Sequence, residues 1–290
     1  MISCKLQGGL GNQLFQIFTT ISYALKYSKS FFFLNNHQLG NGENNSTIRY
    51  TYWETFLSNL KPFLKNKEDI PQLLYIIEKE FNYVELPENL DKIHGTLLVG
   101  YFQSPLYFDK YKEIIYKMIK MDLKKMVIKN KTRIDFDNKN VISMHFRLGD
   151  YKKYPETYHI LNENYYIKSL ELIIDDIKSY DRIQKELLIL YFCESDDLKD
   201  VEDTIKNIQP KFPLLTFKRA NALLEDWEQM LLMSLCSHNI IANSTFSWWG
   251  AYLNNNPTKI VCYPETWFGE KVKHNIKDLF PEEWVPISLN

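Results

Sequence analysis

Cysteine is scarce in this chain. Cys4, Cys193, Cys236 and Cys262 are the four among 290 residues, and no CxxC pair occurs. Each sits in an apolar stretch, so they read as buried free thiols of a reducing compartment, not as a disulfide framework or a zinc site. An excess of one charge is also lacking. Lys and Arg number 35 against 36 Asp and Glu, for a net charge of −1. That leaves no basic footprint for nucleic acid, so a polyanion would have to be gripped locally. No apolar run approaches the roughly 18 residues that a membrane span needs. Gln, Thr and Gly interrupt every candidate apolar core of a leader peptide, and Lys5 is its only early base. The expectation is a soluble, cytoplasmic protein without a membrane span. No internal repeat or low-complexity tract appears. A hydrophobic content of 45% and a charged content of 24% exclude disorder and coiled coil.

What is present is an α/β pattern long enough for two domains at about 150 residues each. Residues 2–7 predict a strand, Gly8-Gly9-Leu10-Gly11 a turn, and Asn12–Ser28 a helix. Leu14, Ile17, Phe18, Ile21 and Leu25 fall on one face of that helix. Phe31–Leu34 predicts a second strand and 36–47 a loop. Residues 53–94 read as mostly helical and polar, broken at Pro62, Pro71 and Pro87. A strand at 96–103 and helical signal at 106–121 follow, and the charged, turn-rich stretch Lys124–Lys139 reads as the domain boundary. In the second half, strands at 141–146, 187–193, 214–217, 239–242 and 259–263 alternate with helices at 164–177, 197–208, 225–237 and 248–254. Such alternation implies a parallel sheet. The unbroken apolar run Leu187–Cys193 suits a strand covered on both faces. The expected domains are 1–138, with 275–290 as a segment that could rejoin it, and 139–274.

Three second-half strands end in polar clusters: His145-Phe146-Arg147-Leu148-Gly149-Asp150, Glu194-Ser195-Asp196-Asp197 and Asn243-Ser244-Thr245-Phe246-Ser247. Open α/β sheets bind ligands outside the carboxyl ends of their strands. The third cluster opens a helix, whose free N–H groups and dipole favour an anion. Arg147 offers a guanidinium fork suited to phosphate. Asp196 and Asp197 can accept from a base edge or a sugar hydroxyl. Each cluster alone has a plain structural reading as a cap, a surface turn or a core histidine. Their coincidence at strand ends describes a pocket for a nucleoside diphosphate.

Two tempting motifs fail. Counting from Gly9, the third glycine of GxGxxG is Leu14, and the next strand ends in Asn35-Asn36 without an acid for a ribose, which argues against a nicotinamide cofactor. Asp135-Phe136-Asp137 is a formal DxD, but it precedes a strand instead of following one and reads as turn chemistry, so no metal site is expected.

The opening Gly8-Gly9-Leu10-Gly11-Asn12-Gln13-Leu14-Phe15-Gln16 resembles that of the α-1,2-fucosyltransferases, glycosyltransferase family 11. Gly100–Ser104 is similar to that family's GYFQS segment. His145–Tyr151 resembles its HxRRGDY motif, Ser195-Asp196-Asp197 its SDD, and Leu231–Leu253 its leucine-rich helix followed by NSTFSWWGAYL. The resemblance implies a GT-B-type architecture of two Rossmann-like domains facing a cleft. The first domain would lie on the acceptor side and the second would bind the GDP-sugar. It further implies GDP-fucose as donor substrate, no metal or other cofactor, an oligosaccharide or glycan acceptor with O-2 of a galactoside as the default, and inversion at the anomeric carbon. Donor contacts would fall to His145, Arg147, Asp196 or Asp197, Ser244, Thr245 and Phe246, with Asn12 reaching in from the opposite domain. Arg147 would neutralise charge on departing GDP. Leu148 departs from the family pattern by replacing its second arginine, which leaves more charge to Arg147 or to help from Lys152 or Lys153.

A general base is less legible. Asp150 and Glu156 are the acids placed to face the cleft, and attack by a neutral hydroxyl without any protein base is a third route. Asp150 is favoured as essential, either as base or as a group that orients Arg147.

Overall fold

A computed structural model describes residues 1–39, 48–70, 72–88, 94–179 and 185–289, excluding the side chain of Asp150. The chain divides into two compact units. Residues Met1–Lys124 and His274–Pro281 form the first, and Lys125–Lys273 and Glu282–Asn290 form the second.

The first unit begins with β1 (Ile2–Cys4), α1 (Leu10–Lys26), β2 (Phe33–Leu34), β3 (Gln38–Leu39), β4 (Arg49–Tyr50) and β5 (Leu64–Lys65). β6 (Leu73–Ile77), β7 (Gly95–Val99) and α2 (Lys112–Met118) follow. β1, β7 and β6 make a parallel sheet in that order, and β2 pairs in parallel with β5. A parallel bridge between Ile2 and Phe31 joins the two groups. The lateral order is therefore β5-β2-β1-β7-β6, and the winding reverses between β1 and β7. α1 is buried over almost its whole circumference, so its polar side chains must find partners inside. Gln16 does so by accepting from the Gln7 amide at 2.9 Å and donating to the Gln7 carbonyl at 3.2 Å.

Two expectations change here. The stretch 53–94 is not mainly helical. Its described residues hold short 3-10 turns at Ser58–Phe63 and Lys67–Asp69, then β5 and β6. Leu73-Leu-Tyr-Ile-Ile77 is rich in β-formers. It forms an edge strand with much of its surface exposed, which hides the alternation a sequence reader looks for. Gln38–Leu39 pairs with β4 instead of joining a loop. Residues 40–47 and Pro71 lie outside the described residues.

The second unit takes α3 (Met121–Thr132) from Lys125 onward. It continues with β8 (Lys139–His145), α4 (Glu163–Ser179), β9 (Glu186–Phe192), α5 (Leu198–Ile208), β10 (Thr216–Arg219), α6 (Asp226–Met233), β11 (His238–Ile240), α7 (Thr245–Tyr252), β12 (Val261–Pro264) and β13 (Val285–Ile287). Its six strands are all parallel in the order β10-β9-β8-β11-β12-β13. Numbered within the unit this is 3-2-1-4-5-6, the doubly wound Rossmann order. Ile142, Met144, Ile189 and Tyr191 of the sheet pack with Leu170, Ile173 and Ile177 of α4 and Val201 and Ile205 of α5.

The division falls before the expected boundary at 138. The charged stretch from Lys124 is a helix, and its inward side belongs to the second unit. The Lys125 ammonium is buried and donates to the Leu253 carbonyl, and Lys131 pairs with Glu228 at 2.6 Å. The C-terminal segment is also divided. His274 stacks on Phe81 at 4.7 Å, and Asp278 accepts from the Tyr83 amide at 3.1 Å, which holds 274–281 to the first unit. Val285–Ile287 instead adds a strand to the second unit's sheet.

Candidate active site

In the second unit the winding reverses between β8 and β11, and both strands run directly into motif residues. β8 ends at His145, with Arg147 two residues on. β11 leads through Asn243 to Ser244, the N-cap of α7. The rings of His145 and Phe246 approach to 5.5 Å between centroids. Tyr151 fastens the two loops together. Its hydroxyl donates to the Asn243 carbonyl at 2.8 Å, and its ring lies 5.4 Å from the Arg147 guanidinium carbon. Tyr158 stacks on Tyr151, with 4.2 Å between the ring centroids. Asn243 is itself locked, donating to the carbonyls of His159 at 2.8 Å and Trp267 at 3.0 Å.

The helix start is built from the NSTFSWW run. Ser244 accepts from the Phe246 amide at 3.3 Å. Ser247 faces inward to the Ala242 carbonyl at 3.3 Å. Trp248 and Trp249 are fully buried and anchor α7. The tryptophans thus serve packing, while Ser244, Thr245 and Phe246 stay half-buried at the end where the dipole is positive.

His145 is buried, and burial, reinforced by the nearby Arg147, lowers its pKa to about 3. Its imidazole is neutral at physiological pH. Its Nδ1 is buried without a hydrogen-bond partner among the described residues. A buried nitrogen in that state is a group for which a ligand would supply the missing bond.

The β9 end supplies the remaining cluster, Glu194–Asp197. Glu194 pairs with Arg147, a partner across 47 positions that no local pattern announces. Asp197 is buried and accepts from the Gly149 amide at 2.6 Å and from Lys152 at 3.1 Å. Lys152 also pairs with Asp200, and its pKa is raised by that bond first and by Asp197 as well. Asp197 therefore holds the turn after Arg147, while Asp196 is exposed. Gly149 has a φ of +20°, and an added Cβ would lie 2.8 Å from a Glu194 carboxylate oxygen. Only glycine passes there comfortably. Leu148, which stands where the family pattern has arginine, packs against the unit's hydrophobic core. The Asp150 side chain lies outside the described residues. Glu156 is exposed and pairs with Lys271.

Asn12 belongs to the first unit, where its carbonyl oxygen accepts from Gln103 at 3.1 Å. Its neighbour Gly8, at φ +79°, leaves only 2.4 Å between an added Cβ and the Asn12 amide nitrogen, so this turn is shaped around Asn12. Asp135 is taken up by the Asn138 backbone and side chain, and Asp137 by Lys129. Among the described residues no group of three His, Cys, Asp or Glu is arranged for a metal ion, and no helix is long and apolar enough to cross a membrane. Cys4, Cys236 and Cys262 are buried and Cys193 partly so, and all four are free thiols. Glu194 and Tyr151 are the site residues that sequence reasoning quoted but gave no role.

The O-antigen biosynthesis glycosyltransferase WbnK of Escherichia coli is 30% identical over 98% of this chain and 99% of its own length. An alpha-1,2-colitosyltransferase of the same organism is 28% identical over 99% of both chains. Among solved structures, the NodZ alpha-1,6-fucosyltransferase co-crystallized with GDP shares 11% identity, with a TM-score of 0.42 over 86% of this chain and 91% of that one. The profile of Glycosyl transferase family 11 matches residues 71–288. With a profile match over most of its length and a relative this similar from end to end, the chain belongs to glycosyltransferase family 11.

Proposed function

We propose that this glycosyltransferase moves L-fucose from GDP-fucose to a sugar hydroxyl, O-2 of a galactoside, with inversion at the anomeric carbon. The observation that carries the reading is the convergence at one switch point of a cation, a helix N-terminus and a buried neutral histidine with a free ring nitrogen. Arg147, which pairs with Glu194 and lies 5.4 Å from the Tyr151 ring, takes the diphosphate in this reading. Its charge stabilises the departing GDP more than the bound donor, because negative charge grows on the bridging oxygen as the sugar leaves. The α7 N-terminus adds Thr245 and neighbouring amides to the same anion. Of the acidic pair, the exposed Asp196 is the better candidate for the base edge, since Asp197 is engaged by Gly149 and Lys152. Asp150 takes the role of essential acid. Asp150→Asn lowering saturated turnover and removing the acidic limb of the pH–rate profile would support it as base, and retention of both would remove it.

A second reading keeps the chemistry and changes the sugar. A 28%-identical relative bears the name of a colitosyltransferase, so a different GDP-sugar is the natural competitor. A non-catalytic binder on the same fold is the third. Incubation with GDP-fucose and GDP-mannose against a panel of β-galactosides, with products read by mass and linkage analysis, separates them. A 2-O-fucosyl product supports the proposal. Transfer only from another donor, or GDP binding without any product, overturns it.

A further inference from the structure

The first unit has its own switch point, between β1 and β7. The β1 end leads to Gly8 and Asn12. The β7 end leads to Gly100-Tyr101-Phe102-Gln103-Ser104. The buried Gln103 amide donates to Asn12 at 3.1 Å and ties the two loops together, while Tyr101 in the same loop is 38% exposed. An aromatic face is a usual means of holding a sugar's ring.

The loop carrying these groups is held in an unfavourable conformation. Phe102 is a non-glycine residue at φ +54°, a region that costs about 1 kcal/mol or more and persists only when its surroundings enforce it. Two things enforce it. The Phe102 ring is fully buried. In addition, the carboxylate of Glu78, at the end of β6, accepts from the Tyr101 amide at 2.6 Å with one oxygen and from the Phe102 amide at 2.8 Å with the other. Gly100 lets the chain pass this carboxylate, because an added Cβ there would lie 2.3 Å from the Glu78 Cβ. A half-buried acid that spends both oxygens on consecutive amides of one loop has that loop's shape as its evident task. Burial pushes the Glu78 carboxyl up from its ordinary range while the two amides pull it down.

We propose that Glu78 is a positioning residue that fixes the Gly100–Ser104 loop so that Tyr101 presents a binding face for the acceptor sugar. This rests on the reading of the chain as a sugar transferase, and wild-type turnover tests that reading separately. In Glu78→Gln, one oxygen becomes an NH2 facing an amide N–H, so one of the two bonds is lost with little change of shape. Tyr101→Ala removes an exposed side chain and spares the fold.

The probes are GDP-fucose and lactose, GDP binding by calorimetry, and hydrogen exchange at the Tyr101 and Phe102 amides. Glu78→Gln should speed exchange at both amides at least tenfold and raise the KM for lactose about tenfold, with the GDP dissociation constant within twofold of wild type. Tyr101→Ala should raise the same KM without altering exchange at Phe102. Unchanged exchange in Glu78→Gln overturns the anchoring. Faster exchange with unchanged KM in both variants overturns the acceptor role and leaves Glu78 a stability element. A wild type that turns over no GDP-sugar with any galactoside sinks the transferase reading, and the acceptor role falls with it.

Discussion

Replacing Asp197 with alanine removes a buried anion that holds the turn after Arg147. Two interactions are lost. The Gly149 amide loses an ionised acceptor at 2.6 Å, and a hydrogen bond to a charged group contributes about 1.5–3 kcal/mol. The Lys152 contact at 3.1 Å counts for less. That side chain is 40% exposed and keeps Asp200, so solvent screening holds its share to about 0.5 kcal/mol. The sum is about 2–3.5 kcal/mol. For a chain of this size, that lowers the melting midpoint by roughly 5–10 °C. Asp197→Asn keeps an acceptor for Gly149 and loses only the charge, so it should cost about 1 kcal/mol. Because Gly149 lies two residues past Arg147, the loosened turn should weaken GDP binding by about three- to tenfold in the alanine variant. Urea denaturation with and without GDP, beside calorimetric titration, measures both quantities. Wild-type stability with a hundredfold loss of GDP affinity would refute this reasoning and make Asp197 a direct ligand contact. Loss of neither would show that these bonds do not hold the turn.

The remaining predictions concern the same unit. Arg147→Ala should abolish transfer at unchanged thermal stability, and Arg147→Lys should fail nearly as badly because a point charge cannot reproduce the planar fork; near wild-type turnover by either removes Arg147 from the mechanism. Turnover should persist in excess chelator, since Asp135 and Asp137 are committed to Asn138 and Lys129; complete loss, restored by manganese or magnesium, would return them as ligands. His145 is lowered from 6.5 to about 3 in the fold, so in the unfolded chain it takes up a proton that the folded chain refuses. Its contribution is fully present above about pH 6.5 and drains as pH falls toward 3, at up to about 1.4 kcal/mol per unit. His145→Gln should therefore be less acid-sensitive than wild type in urea melts at pH 7.5 and 4.5, and parallel losses in the two proteins would rule this out.

Much of the second unit could be read directly from the chain. Its strands are covered on both faces, so burial imposes continuous apolar runs such as Leu187–Cys193, and the polar clusters stand out where those runs stop. The opening strand, turn and helix were equally plain, because α1 must bury nearly every side chain. Elements that bury little left a weaker trace. β6 is an edge strand and α3 hides only a narrow face, so one read as helix and the other as a charged boundary.

Local pattern also could not supply lateral order. Nothing near His145 says that β11 lies beside β8, because that is decided when six strands compete for neighbours in one sheet. Yet this adjacency makes the switch point and brings Phe246 to His145. The partnerships that shape the site follow the same rule. Glu194 meets Arg147 from 47 positions away, Asp197 meets Gly149 from 48, and Glu78 meets Phe102 from 24. The sequence alone determined the chemistry available, since residue type and strand-end position are local facts. Which acid serves which cation or amide was decided only in the folded chain, because a carboxylate's task depends on what the sheet carries to within 3 Å of it.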